Sequence, residues 1–357
     1  MNQPTCSWVL MSAVAIWSSA CARDSSTGGL DAATGGLDAA AGGTSGGSGG
    51  SGGGGASGSA PRPLGTVTGA MPGSADGPCP SGALCTTMTV ICPGIDNLQA
   101  VVAVTQPAGN AKGTIFVHGG GGGDMFYGAN VDEYVSGGFR VAQVRWISDW
   151  EQTTTKGIKV AACRPATALQ WVFENVHGRD RTSGYCAVGF SGGSGALSYS
   201  LAHYGAEAIL DYVALAAGPP FGRLDYGCAP STYMGPPRAL CPELADAPIA
   251  LPAAKIDAWA NTTTCGDASP AASDLAKWAE DSVVSPGADY DYAQTVVSFW
   301  DCATNPNGTT GGAYFYSREI VSTRSVTCPT TCSGENLGTA GFAVQLEAMR
   351  SGCVPRP

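Results

Sequence analysis

The chain has 357 residues, with 18 Lys and Arg against 28 Asp and Glu and a formal net charge of −10. That balance excludes the broad basic surface needed for sequence-independent nucleic-acid binding or for electrostatic docking on anionic lipid. Fourteen Cys point to an oxidising compartment, and only three His, at 118, 177 and 203, are available to any chemistry that needs an imidazole base.

In chain order, residues 1–24 read as an export segment. The apolar run 8–20 is too short to span a bilayer and ends in small residues just before Cys21. A Cys after a small-residue site, followed by a flexible tract, resembles a bacterial lipoprotein signal, although Ser18 stands where such signals usually have Leu. The resemblance implies that Cys21 is the lipidated residue and that any membrane contact runs through this anchor. Residues 25–60 are almost entirely Gly, Ser, Ala and Thr, with Asp31 and Asp38 as the only charges. Such a segment cannot bury enough apolar surface to offset its ordering entropy. It reads as a tether with a reach on the order of 30 Å.

Residues 61–357 read as one α/β domain. Short β-branched or aromatic runs at 98–105, 114–118, 139–146, 185–190, 212–216, 295–301 and 320–327 predict strands. Runs at 164–177, 193–204 and 339–350 predict helices, the first placing Ala168, Leu169, Trp171, Val172 and Val176 on one face. Strands alternating with helices predict a mostly parallel sheet covered on both faces. Residues 221–294 break the rhythm with many Pro and with helix-like pieces at 253–260 and 273–283, as expected of an insertion that caps a pocket. Beyond Cys21 there are twelve Cys, an even number that predicts six disulfides. Cys328 and Cys332 also have the spacing of half a zinc site, but no His lies nearby, so no metal centre is expected.

Two motifs carry chemistry. Gly189-Phe190-Ser191-Gly192-Gly193 fits G-x-S-x-G between a predicted strand and a predicted helix, where small residues let the backbone bend sharply and expose Ser191. About 70 residues earlier, the buried strand Thr114-Ile115-Phe116-Val117-His118 runs into Gly119-Gly120-Gly121-Gly122-Gly123-Asp124. On these motifs the chain resembles the α/β-hydrolase fold, in particular its secreted serine esterases and lipases. The resemblance implies Ser191 as nucleophile, with backbone N–H groups of Gly119 or Gly120 and of Gly192 as the oxyanion hole. It implies an acid after a late strand, where Asp301 stands, with Asp225 and Asp289 as alternatives. A phosphate-binding use of the glycines is disfavoured, because no Lys-Ser/Thr pair follows them.

The family's third residue, a His in the loop before the last helix, has no counterpart. Residues 328–341 occupy that position and contain no His, and none follows position 203. His118 and Glu335 are the substitutes the sequence offers as base, the carboxylate only if burial raises its pKa. Removing the base from such a system costs about a million-fold in rate. Two functions therefore stay open. One is an extracytoplasmic serine hydrolase acting on a small-molecule or polymeric ester, without a cofactor and with a non-standard base. The other is a catalytically inactive binding protein that keeps the old pocket. Gly119, Gly120, Gly121, Gly122, Gly123, Asp124, Met125, Phe126, Tyr127, Trp146 and Trp150 are candidate pocket residues for either.

Overall fold

A computed structural model of the chain describes residues 60–128, 130–153, 155–229, 240–241, 251–303, 308–332 and 336–356. Within these, nine strands form one sheet: β1 Thr66–Pro72, β2 Ala83–Ile91, β3 Leu98–Thr105, β4 Gly113–His118, β5 Arg140–Trp146, β6 Gly184–Phe190, β7 Tyr212–Ala216, β8 Val296–Trp300 and β9 Arg324–Thr327. Their spatial order is β1-β2-β3-β5-β4-β6-β7-β8-β9. β2 pairs antiparallel with β1 and with β3, as does β3 with β5, and the remaining pairs are parallel.

β4, β6 and β7 lie at the centre and are buried almost throughout, as strands covered on both faces must be. One face carries the larger core, in which α3 (Cys163–Asn175) and α4 (Gly192–Tyr204) pack Leu169, Val172, Leu197 and Leu201 against Phe116, Val213 and Phe299. The other face packs α1 (Val131–Ser136) and α9 (Gly338–Gly352) through Tyr134, Leu346 and Met349 onto Ile115, Val117, Val188 and Ala214. Every residue of α4 is buried. Its small residues allow that, and the hydroxyls of Ser198 and Ser200 donate to the carbonyls of Ser194 and Ala196 rather than standing unsatisfied.

α2 (Ile158–Ala161) follows β5, and α5 (Leu224–Cys228), α6 (Ala253–Ala260) and α7 (Ala272–Asp281) lie between β7 and β8, in the region expected to be an insertion. Asp281 fastens this region to the body by accepting hydrogen bonds from the backbone N–H groups of Ile158 and Lys159, both at 2.8 Å. α8 (Gly308–Glu319) connects β8 to β9. It overlaps none of the expected elements, and the strand expected from residue 320 begins only at Arg324. β1 and β2 were likewise not expected.

All twelve Cys beyond Cys21 are paired: Cys79–Cys85, Cys92–Cys163, Cys186–Cys353, Cys228–Cys265, Cys241–Cys328 and Cys302–Cys332. Cys328 and Cys332 thus belong to two different disulfides and not to a metal site. Among the described residues no helix is long and apolar enough to cross a membrane. The export segment, Cys21 and the tether lie outside the described residues.

Candidate active site

Ser191 caps the N-terminus of α4 with φ 51° and ψ −116°, a left-handed conformation that a non-glycine residue holds only under constraint. The constraint is visible on both sides. Its N–H donates to the Ala216 carbonyl on β7 at 2.9 Å, and its own carbonyl accepts from Gly195 N–H at 3.2 Å and from Ser194 Oγ at 2.5 Å. The turn therefore leaves β6 at the sheet's upper edge and enters the helix in one step, with the positive end of the α4 dipole beneath Ser191.

The glycines around it are packed to backbone contact. A Cβ on Gly192 would lie 2.1 Å from the Gly121 carbonyl oxygen, and one on Gly193 would lie 2.3 Å from the His118 carbonyl oxygen. Gly120 sits beside Ser191, where an added Cβ would be 3.3 Å from the Ser191 Cβ. The loop after β4 thus rests directly on the elbow. Of the five glycines expected at the pocket, Gly121 joins Gly192 and Ser191 on the wall of a cavity of about 200 Å³, whereas Gly119 and Gly120, the residues expected to serve the oxyanion hole, do not line it. The rest of the wall is Glu151, Pro220, Phe221, Leu251, Pro252, Lys255 and Trp259. Lys255 and Trp259 come from α6, so residues from the region between β7 and β8 share the cavity with Ser191. Of the aromatics proposed as pocket residues, Trp146 and Trp150 are fully buried and Tyr127 stacks on Phe190 at 5.0 Å; none lines this cavity.

The fold has counterparts among solved structures. The chain is similar to the acetyl xylan esterase from Paenibacillus sp. R4, with 11% identity over 80% of this chain and 89% of that one and a TM-score of 0.52. The fold is that of the α/β-hydrolases. Looser similarities include dienelactone hydrolase from Anabaena variabilis ATCC 29413, with 11% identity over 76% of this chain and 97% of that one and a TM-score of 0.41. Brefeldin A esterase, described as a bacterial homologue of human hormone sensitive lipase, shows 14% identity over 79% and 80% and a TM-score of 0.43. No protein-family model matches the chain, and no curated protein does.

In this α/β-hydrolase frame Asp301 occupies a defined place. Phe190 pairs with Ala216 and Ala216 with Trp300, so Ser191, Ala217 and Asp301 are the next residues along one edge of three neighbouring parallel strands. At about 4.8 Å between strands, the backbones at Ser191 and Asp301 stand about 10 Å apart across the sheet. Asp301 is buried, and it is not part of the cavity wall. Trp300 pairs in turn with Thr327, which brings the loop after β9 to the same edge, where Cys302–Cys332 and Cys241–Cys328 hold it. Glu335, in that loop, lies outside the described residues. Asp225 pairs with Arg223 through two hydrogen bonds, one of 2.8 Å, and Asp289 donates its N–H to the Ala202 carbonyl near the far end of α4.

The three imidazoles are committed elsewhere. His118 is fully buried, with Nδ1 2.9 Å from the Gly119 carbonyl and Nε2 3.0 Å from Trp146 Nε1. Since the indole N–H only donates, Nε2 is the acceptor and Nδ1 carries the proton. Both nitrogens are used, and desolvation lowers the pKa of the ring to about 4. His118 locks the glycine loop to β5 and has no lone pair left to take a proton from Ser191. His177 lies between Thr114 Oγ1 and the Asp180 carbonyl, at the opposite end of β4. His203 approaches the Val283 carbonyl at 3.1 Å, in the last turn of α4.

The residue with no signal in the sequence is Glu151. It follows β5 in the loop 147–157, is only 3% exposed, and forms part of the cavity wall with Ser191. Burial raises its pKa to about 7, against the opposing pull of Lys255, whose Nζ lies 3.7 Å from Glu151 Oε2 and 3.3 Å from Asp149 Oδ2. Among the described residues no three His, Cys, Asp or Glu side chains are grouped so as to hold a metal ion.

Proposed function

We propose that the protein is an exported serine hydrolase of carboxylic esters, with Ser191 as nucleophile. The observation that carries this is the strained turn at Ser191, opened onto a cavity whose wall includes the backbone of Gly121 and Gly192. Strain of this kind costs on the order of 1–3 kcal/mol and persists where the surroundings impose it. Here the surroundings are an acyl-transfer geometry: a hydroxyl at a helix N-terminus, with neighbouring backbone N–H groups to receive an oxyanion.

In this mechanism Ser191 Oγ attacks the ester carbonyl, and the charge that develops on its oxygen is received by N–H groups of Gly192 and of Gly120 or Gly121. The alcohol leaves, and water then releases the acid from the acyl-enzyme. Asp301, buried at the same sheet edge, holds the place of the fold's acid. A cavity of about 200 Å³ walled by Phe221, Trp259, Leu251, Pro220 and Pro252 suits a short apolar acyl or alcohol group, on a free or a polymeric ester. The twelve paired Cys support the oxidising, extracytoplasmic location, and Cys21 with the Gly-rich stretch would tether the domain to a membrane.

The test is fluorophosphonate labelling of the full chain beside Ser191→Ala. Labelling of the wild type that vanishes in the variant is expected. A folded wild type that takes no label would favour the other function, a binding protein that has kept the pocket without the turnover.

A further inference from the structure

We infer that Glu151 is the general base of this site and takes the place of the missing histidine. The inference rests on the hydrolase reading of Ser191 and adds to it the identity of the proton acceptor.

Glu151 and Ser191 belong to the wall of the same cavity, one on the loop after β5 and the other on the turn after β6. The cavity, about 200 Å³, has room for water between the two side chains, so that a water held there can relay a proton from one to the other. A base that acts through one water is within the geometric requirement for general base catalysis. The three histidines do not compete, since each ring is engaged elsewhere.

The groups facing Glu151 shape its behaviour. Lys255 reaches it from α6, Asp149 shares its loop, and Tyr199 faces it from α4. Lys255 bridges the two carboxylates and fixes the orientation of Glu151, as a third group does for the base in other nucleophile–base pairs. An ordinary surface carboxylate is too weak a base for a serine hydroxyl. One whose pKa burial has brought to about 7 is matched to work at neutral pH.

The step balances. The bridging water passes a proton to the Glu151 carboxylate and takes the proton of Ser191 Oγ. Oγ bonds to the acyl carbon, and the carbonyl π pair moves to oxygen. On collapse the C–O bond to the alcohol breaks, and the proton on Glu151 returns to the leaving oxygen. Glu151 then accepts a proton from the water that attacks the acyl-enzyme; on the second collapse the bond from the acyl carbon to Ser191 Oγ breaks and that proton returns to Oγ, so that ester and water give acid and alcohol and the site is restored.

The experiment measures the rate constant of fluorophosphonate labelling against pH for the full-length wild type, S191A, E151Q, E151A and E335Q. The wild-type rate should rise through an inflection near pH 7 and be absent in S191A. In E151Q it should fall at least 100-fold and lose the inflection. Formate, small enough to enter the space vacated in E151A, should restore part of the rate. Circular dichroism and intact disulfides establish that each variant is folded, and E151D provides a conservative second variant if E151Q is not. Labelling of E151Q within threefold of wild type overturns the inference, as does a loss that leaves the inflection in place or a loss seen in E335Q alone. No Ser191-dependent label in the wild type would instead remove the hydrolase reading itself.

Discussion

Folding carries the carboxyl of Glu151 out of water, and replacing it with Gln removes a charge that the native state must desolvate. The unfolded chain ionises Glu151 near pH 4.5, and the folded one near 7. Below 4.5 the group is neutral in both states and costs nothing. Above 7 it is ionised in both and the penalty is complete, about 3 kcal/mol at 1.36 kcal/mol for each pH unit between the two values. E151Q should therefore be more stable than the wild type by about 3 kcal/mol at pH 8 and by less than about 1 kcal/mol at pH 5. Urea unfolding with the disulfides intact, at both pH values, measures the difference. A variant that gains stability while losing its reaction with fluorophosphonate would show a site kept at the expense of the fold. A stability difference that does not change with pH, or an E151Q less stable than wild type at pH 8, would refute the buried-carboxylate reasoning.

Three further outcomes are expected. Gly192→Ala places a methyl 2.1 Å from the Gly121 carbonyl oxygen, and the forced backbone shift should cost about 1–3 kcal/mol in thermal unfolding and at least tenfold in labelling of Ser191; unchanged labelling would contradict the close seating of the glycine loop. Removing the Cys186–Cys353 disulfide as a double Ala variant opens a loop of 167 residues and should cost about 5 kcal/mol in the chain-entropy account, read by urea unfolding. Trp259→Ala should enlarge the cavity and shift preference among p-nitrophenyl esters from acetate toward longer acyl chains, and an unaltered preference would remove Trp259 from the acyl wall.

Much of the central sheet is legible because its strands are short apolar runs ended by Gly or a charge. The reading of residues 212–216 coincides with β7, and that of 253–260 with α6. The elbow is legible for a different reason: close backbone packing demands Gly at 189, 192 and 193, and glycine leaves its mark on the sequence. α8 is hidden because its first six residues, Gly-Thr-Thr-Gly-Gly-Ala, are mostly poor helix formers that tertiary packing overrides. β1 and β2 mix Thr, Met and Cys with a Gly and lack a clean apolar alternation. Glu151 was not legible at all. Its chemistry depends on Tyr199, Lys255 and Trp259, which lie 48 or more residues away in sequence and meet it only once the sheet is assembled. His118 is the converse case, conspicuous in sequence and used in the structure as a brace between the glycine loop and Trp146.

The Cys186–Cys353 disulfide sets an order of events for the maturing chain. Cys186 lies within β6, between β4 and β7, with no exposed surface, and its partner follows 167 residues later beyond α9. An oxidant can reach Cys186 only while that face of the sheet is still uncovered, and the bond can close only after α9 has been synthesised and brought in. A chain that completed its fold in a reducing compartment would enclose both sulfurs as thiols beyond the reach of any oxidase. The bond must therefore form while α9 is being seated and the sulfurs are still accessible, so the strand that presents Ser191 is fastened late, by an element remote from it in sequence.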